Sequence, residues 1–253
     1  MNTTYTALEL RRTTRNYVSM FFIAVLPAFF YVVFGAAQDF GAEPIGNGNV
    51  TFYVMVSMAA YGAVTATVSI GGMAAVERMQ GWGRQLGLTP MKDREFVLSK
   101  VLVALGVAAV PVALIFLLGS LTGAEAPPLA WLLSAAIALG GAGLFAIYGL
   151  CFGLAFRSEA AAAAASGSLV VLAFLGNIFF PLSGSMLTIA RFTPLYGVVT
   201  LARHPLTGGD RLDGTAGGLV HEALWIPVAN VVVWTILLGL TAVWLVRRSR
   251  ARQ

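Results

Sequence analysis

Long apolar blocks alternate with short polar connections along almost the whole chain. Each block is about 20 residues or longer, the length that a helix needs to cross ~30 Å of hydrocarbon at 1.5 Å per residue. A transmembrane barrel would instead show short strands of alternating polarity. The pattern predicts an all-α membrane protein with six transmembrane helices, at approximately 18–37, 52–76, 96–122, 129–156, 160–180 and 224–246.

The composition agrees with a membrane protein rather than a soluble domain. Only 11% of the residues are charged, 58% are hydrophobic, and the mean hydropathy is +0.82, values that a water-soluble domain does not reach. The spans and their short connections use nearly all of the 253 residues. We therefore predict a single transmembrane domain over residues 1–253, without a separate soluble domain of ordinary size.

The residues before the first apolar block, 1–16, are polar. Thr6 precedes Glu9 by three positions, which is compatible with a helix capping box. A short interfacial helix fits this pattern, and a frayed polar leader is the alternative. No convincing small-residue cleavage site follows, so the first apolar block is interpreted as a retained span rather than a signal peptide.

A second segment, 181–206, stays mostly apolar but does not form a clean span. Arg191, Pro194 and Pro205 interrupt it, and it is too short for two complete crossings. Irregular backbone at membrane depth is tolerated only where protein or water covers it. We therefore predict two short helices or a re-entrant hairpin in this segment.

The basic residues are distributed unequally between the two sides of the six-span arrangement. Thirteen of the 16 Lys and Arg residues fall on the side of both termini and of residues 77–100. The other side receives Arg191, Arg203 and Arg211. By the positive-inside rule, both termini and residues 77–100 are cytoplasmic, and 181–206 is external. The net charge of +5 is then explained by anionic lipid head groups rather than by nucleic acid.

The densest run of charge, residues 77–100, connects the second and third spans. Its apolar residues recur at roughly helical spacing, while three glycines weaken the helix and Thr89-Pro90 ends it. Glu77 either orients this segment by pairing with a neighbouring Arg or is a plain solvated charge. We predict an amphipathic helix at 77–91 that lies along the membrane and offers one face to a soluble partner. The apolar positions are Met79, Trp82, Leu86 and Leu88.

This segment resembles the first cytoplasmic loop of the type-2 ABC exporter permeases. That loop carries a Glu-Arg pair, a Gly, a Leu before Thr-Pro, and a Lys about ten residues later. The family also has six spans, cytoplasmic ends, an N-terminal interfacial helix and a broken external hairpin between spans five and six. Residues 193–196, Thr-Pro-Leu-Tyr, followed by Arg203, are similar to the family's Pro-Leu-Tyr stretch. The matching loop positions here are Glu77, Arg78, Gly81, Leu86, Thr89, Pro90 and Lys100.

The resemblance implies a coupling helix that docks into a groove of a separate ABC ATPase subunit. It also implies a second permease subunit, expected as a homodimer, and a location in the cell membrane. Gly81-Trp82-Gly83 departs from the family, where many relatives carry Thr-Leu-Glu-like residues, and this leaves the docking detail open. The expected docking residues are Glu77, Arg78, Gly81, Trp82, Leu86, Leu88, Thr89 and Pro90.

No catalytic or metal-binding residue is predicted in this chain. It lacks a Walker-type Gly-rich loop with Lys-Ser or Lys-Thr, so ATP and Mg²⁺ are expected in the partner ATPase and no cofactor here. His204 and His221 have neither a Cys nor a second His at ligand spacing. An intramembrane serine protease needs a nucleophile with a membrane-embedded base, and no His lies in any predicted span.

The function that the resemblance implies is outward transport of a hydrophobic or amphipathic compound, such as a drug, an antibiotic or a lipid-like molecule. An ATP-independent channel or secondary transporter is the alternative, although such proteins usually carry charges at mid-span. Aromatic and Met residues on the cavity helices suit an apolar substrate, and lipid-facing surface explains them equally well. For Asn177 and Asn230, an interhelical hydrogen bond competes with a substrate path. The candidate path residues are Phe22, Phe30, Met55, Met58, Phe174 and Asn177.

Overall fold

The computed structural model describes residues 3–77, 93–156, 160–214 and 218–250. These residues are mostly helical. Within these ranges, five helices are long and apolar enough to span a membrane, or six if one bent pair is counted as a span. The helices are α1 (Thr3–Thr14), α2 (Tyr17–Ala36), α3 (Val50–Glu77), α4 (Asp93–Leu121), α5 (Pro128–Phe156), α6 (Ala160–Leu175), α7 (Gly184–Ala190), α8 (Pro194–Thr207) and α9 (Trp225–Arg250).

Helix α3 forms the centre of the bundle and is almost completely buried by α4, α5, α6 and α8. Small residues let its backbone touch that of α5. A Cβ added to Gly71 would lie 2.1 Å from the carbonyl oxygen of Ala146, and one added to Gly149 would lie 2.2 Å from that of Val68. Close packing of this kind holds membrane helices together where the hydrophobic effect cannot.

Helix α2 is irregular around its proline. Pro27 follows a π-helical segment, Phe21–Val25, and a second π-helical segment covers Val32–Ala36. Proline has no backbone N–H to donate, and a local change of helix type is one way for a helix to accommodate it. Pro27 packs against Gly62 of α3, where an added Cβ would lie 3.4 Å away from the proline ring.

Helix α6 is shorter than the predicted fifth span, which was expected to reach about Phe180. It ends at Leu175, and its 16 residues cover only about 24 Å. Gly176 and Asn177 follow, and Asn177 has a φ of 58°, a left-handed conformation that Asn tolerates better than most residues. The Asn177 side chain then accepts a hydrogen bond from the backbone N–H of Leu182 at 2.8 Å. A Gly-Asn turn inside an apolar run therefore ends this helix early.

Helices α7 and α8 form the bent pair, with an angle of 96° between them. The chain enters and leaves this pair at one end of the bundle, because Arg211 Nη1 donates to the carbonyl oxygen of Leu182 at 3.4 Å. Leu206, in the last turn of α8, accepts a hydrogen bond from the backbone N–H of Asn47 at 2.9 Å. The loop before α3 therefore lies at this same end. A re-entrant position of the pair within a membrane stays a prediction.

Two short antiparallel strand pairs, which the all-α prediction omits, occupy connections between helices. Strands of two or three residues are too short to leave an alternating pattern in the sequence. Before α3, Asn49 donates to the Gly123 carbonyl at 2.7 Å and accepts from the backbone N–H of Glu125 at 3.0 Å. Asn49 thereby connects the strand pair that precedes α3 to the α4–α5 connection. The strands are β1 (Pro44–Ile45), β2 (Gly48–Asn49), β3 (Asp210–Leu212) and β4 (Leu219–His221).

Helix α9 is the least buried of the long helices. Its outer face is apolar and includes Val233, Leu240 and Trp244, each about half exposed. Its inner face packs on α5, where the buried thiol of Cys151 donates a weak hydrogen bond to the Leu238 carbonyl at 3.6 Å. An apolar face of this size requires lipid or protein to cover it.

Candidate functional site

Four charged side chains join α1 to the two helices that flank residues 78–92. Glu77, the last residue of α3, accepts hydrogen bonds from Arg12 Nη2 at 2.8 Å and from Lys100 Nζ at 2.5 Å. Lys100, near the start of α4, also pairs with Glu9 of α1. We call Glu9, Arg12, Glu77 and Lys100 the Glu77 network. It connects residues that are up to 91 positions apart in the sequence.

Three members of the Glu77 network are largely shielded from solvent. The side chains of Glu9, Glu77 and Lys100 are only 10–12% exposed, whereas that of Arg12 is 62% exposed. Ion pairs with little water around them are screened less and hold their geometry more firmly than pairs on the surface. The Glu9–Lys100–Glu77 chain therefore forms the rigid part of the network, and Arg12 adds an outer contact.

Glu77 is the one predicted docking residue that lies within the described ranges. The structure places it in an ion-paired environment rather than as a plain solvated charge. The other docking residues belong to 78–92, outside the residues that the structure describes, so the docking face stays a prediction. These residues are Arg78, Gly81, Trp82, Leu86, Leu88, Thr89 and Pro90.

Two of the predicted path residues meet in an aromatic cluster between α2, α3 and α6. Phe179 lies at its centre, with its ring centroid 5.5 Å from that of Phe30, 5.0 Å from that of Phe174 and 5.8 Å from that of Tyr61. Phe34 completes it at 5.9 Å. Edge and tilted contacts of this kind are favoured by aromatic quadrupoles. Phe174 remains half exposed, so the cluster presents an aromatic surface on one side of the bundle.

The remaining path residues have other surroundings. Met55 and Met58 are completely buried in the core around α3. Phe22 is 55% exposed and packs edge-on against Phe21. Asn177 is buried in the turn after α6, where its side chain satisfies a backbone group. The structure therefore places Phe30 and Phe174 in one cluster. The six predicted path residues do not together form a single surface.

Hydrogen bonds join the turn of the bent pair to α9 and to Glu222, which lies in the connection between β4 and α9. Arg191 Nε donates to Glu222 Oε1 at 2.7 Å, and the Tyr196 hydroxyl donates to the other oxygen of Glu222. Asn230 Nδ2 donates to the carbonyl oxygens of Arg191 and Thr193 at 2.7 and 3.0 Å. The hydrogen bond expected of Asn230 therefore runs to this turn, rather than to another spanning helix.

Sequence reasoning missed two buried charges of this region. Glu222 is 3% exposed, although neither its burial nor its pairing was predicted. Arg203 is 4% exposed, although it was counted only as a charge on the external side. Its position seven residues after Tyr196 was an available signal, because residues i and i+7 share a helix face. Both charges face into the bundle because α8 packs on it.

Arg203 links α8 to α3 and to the turn after α6. Its Nε donates to the Ser57 hydroxyl at 2.7 Å, and its Nη2 donates to the Asn177 carbonyl at 2.9 Å. The guanidinium carbon lies 4.0 Å from the centroid of the Tyr53 ring, a cation–π contact. Arg203 therefore positions the bent pair against the central helix.

The ion pairs, hydrogen bonds and aromatic contacts described above connect helices to one another. None of them joins a nucleophilic side chain to a general base. Within the described ranges, no group of three or more His, Cys, Asp or Glu side chains could hold a metal ion.

The chain is similar to "Putative transport permease YvfS" of Bacillus subtilis (strain 168), with 26% identity over 206 residues. That region covers 79% of this chain and 83% of YvfS. No protein-family model matches the chain.

Proposed function

From this similarity, which supports an ABC-type permease family and a transporter rather than an enzyme, we infer that the chain is the membrane subunit of an ATP-driven exporter. It works with separate ABC ATPase subunits and with a second permease subunit, a copy of itself. It lies in the cell membrane as a multi-pass protein. Its substrate is a hydrophobic or amphipathic compound that is moved outward.

The Glu77 network is the observation that carries this proposal. Residues 78–92 begin directly after Glu77 and precede the helix that holds Lys100, and these two residues are joined by an ion pair. Lys100 also contacts Glu9 of α1. A force that an ATPase applies to 78–92 would therefore reach α1, α3 and α4 together. Because α3 is the central helix, that force would reach the whole bundle.

The packing also suggests how such a force would move the bundle. In the proposed cycle, the ATPase subunits close on ATP, push 78–92 and rotate α2–α4 against α5–α9. Helices α3 and α5 touch backbone to backbone at Gly71 and Gly149. This contact would serve as the pivot. The rotation closes an inner opening and exposes a central cavity, and no covalent chemistry is required of this subunit.

The aromatic cluster supports an apolar substrate. It lies between α2, α3 and α6, and the half-exposed ring of Phe174 leaves it open on one side to the surroundings of the bundle. Flat aromatic faces bind apolar and amphipathic molecules without demanding one particular shape. A compound that arrives from the lipid would meet this surface before it entered the path.

The proposal is tested by co-expressing the tagged full chain with a candidate ABC ATPase and purifying the complex. We expect the ATPase to co-purify and its activity to rise when the complex is reconstituted in liposomes. Leu86→Asp places a charge on the predicted docking face and should reduce association about 10-fold or more, because a charge in the apolar centre of an interface loses its water without gaining a partner.

Leu121→Asp is the matched control. Leu121 is an exposed leucine, 74% accessible, at the opposite end of α4, and its replacement should leave association unchanged. The proposal fails if no ATPase associates with the wild-type chain. It also fails if Leu86→Asp leaves association and stimulated ATPase activity intact. Transport without any ATPase would point instead to an ATP-independent channel or secondary transporter.

A further inference from the structure

Three arginines and a leucine share one exposed face of α1. They stand at positions i, i+3, i+4 and i+7, which lie on the same side of a helix. Arg15 follows the last residue of α1, but its backbone N–H donates to the carbonyl oxygen of Arg11 at 3.1 Å, so it keeps a helical position. We call this set the arginine face, and its members are Leu8, Arg11, Arg12 and Arg15.

The opposite face of α1 holds this helix beside the start of α4. Glu9 pairs with Lys100, and a Cβ added to Gly106 would lie 3.3 Å from the Leu10 side chain. The apolar span within α4 begins at Ser99, roughly two turns before Gly106. Leu10 therefore contacts α4 about 10 Å from the end of that span. Amphipathic helices at a membrane surface lie at a similar depth, at the boundary between head groups and acyl chains.

Two cations of the arginine face are not used by the ion pairs of the bundle. Arg12 pairs with Glu77, but no ion pair in the part of the chain that the structure describes includes Arg11 or Arg15. The two acids and two bases of the Glu77 network balance one another. Both remaining guanidinium groups are exposed, stay charged at physiological pH, and can bind phosphate oxygens through parallel hydrogen bonds.

An exposed apolar stripe on α2 begins close to the arginine face. The Asn16 side chain accepts a hydrogen bond from the backbone N–H of Ser19 at 3.2 Å and begins α2 directly after Arg15. The stripe is about 16 Å long, close to the ~15 Å of hydrocarbon in one leaflet. At most about 11 Å of chain separates its first residue from Arg15. Its residues are Val18, Phe22, Val25 and Phe29, each about half exposed or more.

We propose that the arginine face and the α2 stripe together bind an anionic phospholipid of the leaflet on the side of Glu77, the predicted cytoplasmic leaflet. The lipid phosphate lies at Arg11 and Arg15, and an acyl chain follows the stripe. Charge complementarity favours this occupant over a second copy of the chain, because a symmetric contact through the same face would bring like charges together. The site does not depend on the exporter function.

Native mass spectrometry of the purified full chain tests the site. The chain in a mild detergent is titrated with phosphatidylglycerol and, separately, with phosphatidylcholine, and the bound lipids are counted at each concentration. The test variant combines Arg11→Gln and Arg15→Gln. The control combines Arg247→Gln and Arg248→Gln, which removes the same charge from two exposed residues at the other terminus.

We expect the wild type to bind phosphatidylglycerol more tightly than phosphatidylcholine. The test variant should weaken phosphatidylglycerol binding about 10- to 30-fold, because each arginine near the head groups adds to the attraction of an anionic lipid. Phosphatidylcholine binding should change little, and the control should bind phosphatidylglycerol as the wild type does. Each single variant should weaken binding about 5-fold and keeps the test valid if the double variant does not fold.

Three results would overturn the proposal. Equal affinity of the wild type for the two lipids would show that the arginine face does not recognise an anionic head group. Equal weakening of phosphatidylglycerol binding by the test variant and the control would show that only the total charge matters. Loss of a dimer from the spectra of the test variant, with lipid binding unchanged, would assign the face to a second copy of the chain.

Discussion

Lys100 maintains the charge balance of the Glu77 network. It contacts both Glu9 and Glu77, whose side chains are about nine-tenths buried. Lys100→Gln would leave these two carboxylates close together without the cation between them. We expect this variant to lose about 2 kcal/mol of stability, between the values typical of exposed and of fully buried pairs. Thermal unfolding in one detergent measures the loss.

Arg12→Gln provides the comparison for Lys100→Gln. Arg12 pairs with the same Glu77, but its side chain is 62% exposed, so its loss should cost less than about 1 kcal/mol. Equal destabilisation by the two variants would show that the buried part of the network is no stronger than its exposed part.

At the residue scale, the sequence revealed charge but not burial. It indicated Glu77 as an orienting carboxylate or a solvated one, and it could not identify Arg12, which is 65 positions away, as a partner. Arg203 was counted as an external charge, and the pairing of Glu222 was not predicted, for the same reason. Their burial follows from the way α8 packs against α3 and α9, and no local pattern records that packing.

At the element scale, the contact between α3 and α5 depends on individual glycines. Gly71→Ala and Gly149→Ala would force a methyl group onto a carbonyl oxygen of the facing helix. We expect each to cost about 1–3 kcal/mol, the usual range for overpacking a tight contact. The thermal stability of the purified chain is the measurement.

Gly140→Ala and Gly143→Ala are matched controls on α5, the helix that contains Gly149. A Cβ at either position would meet nothing within 4 Å. Alanine also stabilises a helix by about 1 kcal/mol relative to glycine. These two variants should therefore be neutral or slightly stabilising. Similar losses at all four glycines would mean that the helix contact is looser than its geometry indicates.

Long elements were predictable to within a few residues, and short ones were not. The bounds of α3, α4 and α5 differ from the predicted spans by three residues or fewer, because uninterrupted apolar runs define them. The end of α6 was misplaced because Gly176-Asn177 is a weak signal among apolar neighbours. Short strand pairs depend on hydrogen bonds to distant loops, which no local pattern encodes.

For the whole molecule, the distribution of basic residues predicts where the termini lie. Thirteen of the 16 Lys and Arg residues should be cytoplasmic. Alkaline phosphatase fused after Gln253 should therefore be inactive, and the same enzyme fused within the α4–α5 connection at Gly123 should be active. Green fluorescent protein fused after Gln253 should fluoresce.

An active phosphatase after Gln253 would indicate an odd number of crossings. The structure shows where such an error would arise, because α6 is only 16 residues long and the bent pair begins and ends at one end of the bundle. The sequence thus indicated a multi-pass helical protein correctly. The number of crossings depends on whether a short helix and the turn after it reach across the membrane together.

The buried position of Cys151 makes the chain convenient for spectroscopy. It is the sole cysteine among the 253 residues, and its thiol is shielded between α5 and α9. Thiol reagents attack accessible thiolates, so they should spare it. A cysteine introduced at an exposed site would then carry the only spin label or fluorophore on each chain. In a homodimer, two symmetry-related probes would report the distance between subunits without removal of any native residue.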